Sequence, residues 1–200
     1  MIGRIEGILL EKQAPELLID IQGLGYEVLV SLNTFFDLPA LGEKITLRTH
    51  FVVREDVQQL YGFVDTRERE LFRSLIKVSG VGPKMALAIL SGMTTTDFVH
   101  SVQTNDTATL VKLPGVGKKT AERLIVEMRD RLENFGGAAS LGMSSASADN
   151  QPNAVKEAES ALITLGYKPQ EAARMVNACT GEEKTSQELI RQALKSMIKT

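Results

Sequence analysis

Leu75-Ile76-Lys77-Val78-Ser79-Gly80-Val81-Gly82-Pro83-Lys84-Met85-Ala86 and Leu110-Val111-Lys112-Leu113-Pro114-Gly115-Val116-Gly117-Lys118-Lys119-Thr120-Ala121 are two copies of one pattern. A shift of 35 residues places Gly80 on Gly115, Gly82 on Gly117, Lys84 on Lys119 and Ala86 on Ala121, with Leu75 on Leu110. A register kept over so many positions is an internal repeat, and it decides how the middle of the chain folds.

Each copy predicts a helix, a tight hairpin and a second helix. An apolar helix end runs into Gly-Val-Gly, where glycine permits backbone angles that a side chain forbids and lets another backbone come close. Pro83 suits the first position of the following helix, because the N–H it lacks has no intrahelical partner there. Ala86 and Ala121 are small enough for two helices to cross closely. The first turns of the second helices carry Lys84, Lys118, Lys119 and Arg123. Cations are electrostatically misplaced at a helix N-terminus, which already bears partial positive charge. Lysines, free N–H groups and a close approach together call for an anion, and phosphate is the natural one. A glycine-capped joint with solvated lysines accounts equally well for one copy alone. Two copies in register favour phosphate.

The pattern resembles the helix-hairpin-helix motif, which holds DNA backbones without reading sequence. With its flanks the pair resembles the RuvA family of bacterial Holliday-junction proteins. The likeness runs from Met1-Ile2-Gly3-Arg4-Ile5 through Lys112 to Leu124 and into the C-terminal region, leaving out one low-complexity stretch.

The totals fit an ordinary soluble protein with one to three small domains. No apolar run approaches membrane-spanning length and no leader opens the chain, so a cytoplasmic protein is expected. Cys179 is the one cysteine, which excludes an internal disulfide and reads as a small buried hydrophobe. The net charge of −2 argues against a nucleic-acid binder until it is mapped. Residues 65–134 hold eleven basic against nine acidic side chains, a net of +2, whereas 1–64 hold five against nine, a net of −4. The hairpin segment is the basic part.

Residues 1–64 read as five β-rich runs: Ile2 to Leu10, Leu17 to Gln22, Tyr26 to Ser31, Lys44 to Val53 and Gln58 to Val64. So many short strands suit a small barrel of the OB type. Phe35, Phe36, Phe51, Tyr61 and Phe63 offer stacking surfaces, but core packing explains most of them. Arg54-Glu55-Asp56 reads as a hairpin turn with solvated carboxylates. The family resemblance implies more: an acidic pin of Glu55 and Asp56 at the centre of the junction. Carboxylates there would repel phosphates and hold strands apart at the crossover.

The central domain, 65–135, is expected to be all α. Thr66 is a candidate cap for a helix from Glu68 to Lys77, and Thr94-Thr95-Thr96-Asp97 opens another helix between the copies. Ala121, Leu124, Ile125, Met128, Leu132 and Phe135 form an apolar stripe at helical spacing, with Arg129 and Arg131 read as solvated. Residues 136–153 are small and polar and read as a flexible tether. Residues 154–200 suggest three short helices, the first ended by Gly166, the second opened by Pro169 and the third by a Thr185/Glu188 capping box. So small a bundle suits docking better than catalysis.

A nucleotide-binding reading fails, since Lys119-Thr120 is preceded by Lys118 and lacks the upstream glycine and strand of a phosphate loop. No catalytic or metal set stands out, no cofactor is expected, and His50 and His100 are isolated. The resemblance implies a non-catalytic subunit that binds four-way junction DNA as a homotetramer, or a doubled octamer. DNA contacts would come from Gly80, Val81, Gly82 and Lys84, and from Gly115, Val116, Gly117, Lys118, Lys119 and Arg123. Implied protein partners are the RuvB ATPase, engaged by a UBA-like C-terminal bundle through Leu165, Tyr167 and Leu194, and the RuvC resolvase. The alternatives are a hairpin-containing repair nuclease or lyase, and a scaffold whose hairpins are only helix joints.

Overall fold

The computed structural model describes residues 1–55, 57–138, 151–179 and 185–198. The chain divides into two compact units, the first ending at residue 142 and the second starting at 143.

Five strands open the first unit: β1 (Arg4–Gln13), β2 (Glu16–Ile21), β3 (Leu24–Val30), β4 (Lys44–Val53) and β5 (Gln58–Phe63). They close into an OB-like barrel in the order β1-β2-β3-β5-β4, parallel between β3 and β5 and antiparallel elsewhere. Closure leaves no unpaired strand edge. Alternation puts Ile5, Leu9, Leu17, Ile19, Val28 and Leu47 inside. The first strand outruns its sequence reading. Past a bulge between Leu9 and Glu11, the polar Lys12 and Gln13 stay paired with Leu17 and Glu16. A short helix that periodicity is too brief to reveal, α1 (Leu32–Phe36), follows β3; Ser31 caps it by accepting from the Thr34 N–H.

Five helices complete the first unit: α2 (Thr66–Leu75), α3 (Pro83–Gly92), α4 (Thr95–Gln103), α5 (Thr107–Val111) and α6 (Lys118–Ala138). Asp65, not Thr66, caps α2, its carboxylate accepting from the Arg67 N–H at 3.1 Å. Thr94 caps α4 as its sequence suggests. The α6 stripe from Ala121 to Leu132 is buried, while Phe135 lies outside the described side chains. Phe72 packs on Tyr61 and Phe63 of β5 with ring centroids 4.9 and 5.1 Å apart, so the outer face of the barrel and the helices share one core.

The seam has a polar fastening too. Glu68 of α2 is buried and accepts hydrogen bonds from Ser31 Oγ and, at 2.6 Å, from Thr34 Oγ1. Burial pushes its carboxyl above the usual range, although both hydroxyls favour the anion. On the other side of α1, Asn33 Nδ2 donates to the carbonyls of Leu90 and Met93 at 2.7 and 3.1 Å, tying α1 to the end of α3. The helical layer therefore cannot swing freely against the barrel.

The second unit contains α7 (Gln151–Thr164), α8 (Pro169–Asn177) and α9 (Ser186–Ile198). Ala158, Leu162, Ala172, Met175, Val176 and Leu189 form its core, with Cys179 partly buried against it. Gly166 follows α7 at φ +102°, and the Tyr167 N–H returns to the Leu162 carbonyl at 3.2 Å. Thr185 and Glu188 make the expected reciprocal cap. Of the stretch read as a tether, 139–150 lies outside the described residues, and helices take in three residues at each end. Glycine costs a helix only about 1 kcal/mol against alanine, too little for Gly136 and Gly137 to set a stop.

Candidate nucleic-acid interface

The two sequence copies build the same turn. After α2, the Lys77, Val78 and Val81 N–H groups donate to the carbonyls of Ser74, Leu75 and Val78. After α5, those of Lys112, Leu113 and Val116 donate to Thr109, Leu110 and Leu113, the same bonds 35 residues on. Gly80 and Gly115 hold φ at +86° and +79°, a region L side chains enter only with strain. Val81 and Val116 are buried and pin each bend to the core. Each bend therefore exposes the backbone of its glycine, beside Ser79 in one copy and Pro114 in the other.

Gly82 and Gly117 have a different role. A methyl group built on either would meet nothing within 4 Å, so neither glycine is demanded by internal packing. Gly82 caps α3 without a side-chain acceptor, which leaves first-turn N–H groups of α3 without an intrahelical partner. Lys84, Lys118 and Lys119 stand exposed beside these bends, and none forms an ion pair among the described residues. The mouth of each turn adds a cation that the sequence reading did not single out, Lys77 in one copy and Lys112 in the other. Both are exposed, and the repeat itself pairs them.

The copies differ where they touch. Arg123 of the second copy corresponds to Ala88 of the first, and Ser79 corresponds to Pro114. Arg123 Nη1 donates to the Ser79 carbonyl at 3.0 Å and to its hydroxyl at 3.2 Å. One exposed guanidinium thus links the start of α6 to the other hairpin. Two further arginines of α6 are structural rather than merely solvated. Arg131 donates to the Ser74 and Lys77 carbonyls at 3.1 and 3.4 Å, capping the end of α2, and pairs with Glu127 at 3.5 Å. Arg129 donates to the Asn105 side chain in the turn between α4 and α5. Both bonds cross between elements, so helical spacing alone could not expose them.

At the tip of the β4–β5 hairpin the strands stay paired to Val53 and Gln58, and the Arg54 N–H donates to the Val57 carbonyl at 2.8 Å. Glu55 is exposed at this tip, while Asp56 lies outside the described residues. In the second unit Leu165 is 63% exposed, whereas Tyr167 and Leu194 are half-buried against the core. Phe36 stands out at 75% exposure, and the other barrel aromatics pack inward at least in part. Among the described residues no three His, Cys, Asp or Glu side chains stand together to hold a metal, and no helix is long and apolar enough to cross a membrane.

Three family models match in order: the RuvA N-terminal domain over residues 1–62, a SAM-like helix-hairpin-helix tandem over 72–130, and the RuvA C-terminal domain over 153–198. A relative from Thioalkalivibrio sulfidiphilus named Holliday junction branch migration complex subunit RuvA is 57% identical over the full length of both chains. The chain belongs to the RuvA family. Family members of the same name from Pseudomonas paraeruginosa and Vibrio vulnificus are each 55% identical over 99% of this chain and all of their own. The RuvA match spans the barrel, both hairpins and the C-terminal helices together.

Proposed function

We propose that this chain is a non-catalytic subunit of a branch-migration complex, binding four-way junction DNA through its paired hairpins. The observation that carries this is the pair of exposed glycine turns with one hydrogen-bond pattern and unpaired lysines beside each. Two such turns held at fixed separation suit two points on a regular sugar-phosphate rail. Such contacts position a protein on DNA but carry no sequence information. Gly80, Val81, Gly82 and Lys84 form one contact; Gly115, Val116, Gly117, Lys118 and Lys119 form the other, with Arg123 bridging them.

Glu55 and Asp56 act as a pin that repels phosphates at the crossover. The subunit assembles as a tetramer, one copy per arm, which two tetramers can double. Its C-terminal bundle recruits the RuvB ATPase, which supplies the work of strand exchange, and Leu165 is the contact best placed for that by exposure. RuvC is a further partner at the same junction. Gel shifts with four-way, forked and linear DNA at matched salt test this reading. Preference for the four-way substrate without strand cuts is expected; equal binding of linear duplex, or cleavage, contradicts it.

A further inference from the structure

A second group of cations lies away from both hairpins, on the seam between barrel and helices. Arg48 projects from the outer face of β4, paired across the ladder with Arg4 on β1. Arg69 and Arg73 project from α2, one turn apart. Arg73 Nε donates to His50 Nδ1 at 3.3 Å, and the His50 ring packs on Phe72 at 5.6 Å. Burial, then Arg73 and Arg69, hold His50 below its usual value, consistent with a neutral ring whose Nδ1 accepts.

Among the described residues none of Arg48, Arg69 and Arg73 pairs with a carboxylate. Glu6, the nearby acid on β1, is engaged by Arg4 and Lys44. The Glu70 carboxylate favours the charged form of Arg69 without forming an ion pair with it among the described residues. Arg69 Nη1 reaches the Gly3 carbonyl at 3.1 Å, but its Nε is shielded from solvent with no hydrogen-bond partner. Burial, followed by Arg73 and Arg48, lowers its affinity for its proton. Crowded, partly desolvated guanidinium groups are costly unless an anion sits among them.

Placement indicates which anion. Arg69, Arg73 and Lys77 follow one another at four-residue spacing, and Lys77 opens the first hairpin. α2 ends at Leu75, so the 1.5 Å rise per residue covers Arg69 and Arg73, which stand roughly 6 Å apart along the helix axis, with Lys77 just past the helix end. Phosphates of one DNA strand recur with an axial rise of about 3.4 Å, so two arginines about 6 Å apart can reach neighbouring phosphates of a strand that runs on to the hairpin. We propose that Arg48, Arg69 and Arg73 form a second phosphodiester-binding site, continuing the DNA track of the first hairpin along α2 towards the barrel. The proposal rests on the DNA-binding reading above and adds a barrel-side contact to it. An acidic face of a second copy is the competing occupant.

The full-length chain is titrated with synthetic four-way junctions over a range of salt. Arg48→Gln with Arg73→Gln is compared with Lys118→Gln with Lys119→Gln, and with all four changes together. Removing one or two phosphate contacts makes the log–log salt slope shallower by about 0.9 to 1.8. The arginine pair is expected to do this, additively with the lysine pair, at unchanged sedimentation. Arg48 is exposed, so Arg48→Gln alone, with a shift of up to about 0.9, covers the case in which Arg73→Gln disturbs folding. A lysine effect without any arginine effect overturns this site alone. An unchanged slope with altered sedimentation assigns the arginines to contact between copies and also overturns it. No effect of the lysine pair overturns the hairpin reading itself.

Discussion

Arg123 holds Ser79: the guanidinium on the second turn of α6 donates to the carbonyl and hydroxyl of Ser79 in the other hairpin, 44 residues away in sequence. The guanidinium thereby ties the start of α6 to the first hairpin, whose Val81 shares a core with Val116 of the second. Arg123→Lys keeps the charge but replaces the Nη1 that makes both bonds with an ammonium on a shorter stem. It should weaken junction binding nearly as much as Arg123→Gln, by roughly 1–2 kcal/mol on the scale of a charged hydrogen bond. Titration of both variants checks this. Full affinity in Arg123→Lys would mean that charge alone matters.

The four hairpin glycines should fall into two classes. Gly80→Ala and Gly115→Ala force a β-carbon into the left-handed region and should each cost about 1–2 kcal/mol of stability. Gly82→Ala and Gly117→Ala meet open space, so their melting temperatures should stay near that of the parent while junction binding falls. Calorimetry paired with titration separates the classes. Parent-like DNA binding by Gly82→Ala and Gly117→Ala would show that nothing approaches those backbones.

Glu68 couples stability to pH. Its folded pKa lies above its unfolded value near 4.5 because burial penalises the anion. The folded state therefore holds its proton longer, and this group's contribution is fully present below the unfolded value and declines as pH rises through the raised one. Glu68→Gln removes that slope, so its stability relative to the parent should improve from about pH 4.5 upward. Glu68→Ala strands the Ser31 and Thr34 hydroxyls and should cost roughly 2–3 kcal/mol. Denaturant unfolding across pH measures both, and a Glu68→Gln curve parallel to the parent's would remove the carboxyl from the account.

The barrel, the helical repeat and the C-terminal helices were legible because each rests on period, cap or repeat. Strands alternate, Pro83 and Pro169 open helices, and Gly80 and Gly115 announce the bends. What stayed hidden depends on chain segments that only folding brings together. Glu68 looked like any acid on a helix surface, and α1 is too short to show a period. Arg123 was recognised for its charge, but its partner Ser79 was not. The clue was there: Arg123 and Ser79 sit where the two copies depart from one another. Arg131 looked solvated because its acceptors are carbonyls, which sequence does not display.

Charge reversal at the barrel tip gives a test of the pin. Glu55→Lys with Asp56→Lys should bind linear duplex at least as well as the parent and lose its preference for four-way DNA. Competition between the two substrates measures this, and an unchanged preference would refute the pin.

In the C-terminal unit exposure separates contact from core. Leu165→Asp, at a 63% exposed position, should leave that unit's helix content intact while abolishing stimulation of the RuvB ATPase. Leu194→Asp, which buries a charge against the core, should unfold the unit first. Circular dichroism and ATPase assays distinguish them. Full stimulation by Leu165→Asp would place the partner elsewhere.

Phosphate contact at both hairpins is tested most directly by junctions carrying single uncharged methylphosphonate linkages, stepped along one arm and titrated with the full-length chain. Binding should weaken at two separate groups of linkages, at the same positions when the arm's base sequence is changed, and Lys118→Gln with Lys119→Gln should erase one group. Losses that move with the bases, or no loss at any linkage, would contradict a grip on the DNA backbone.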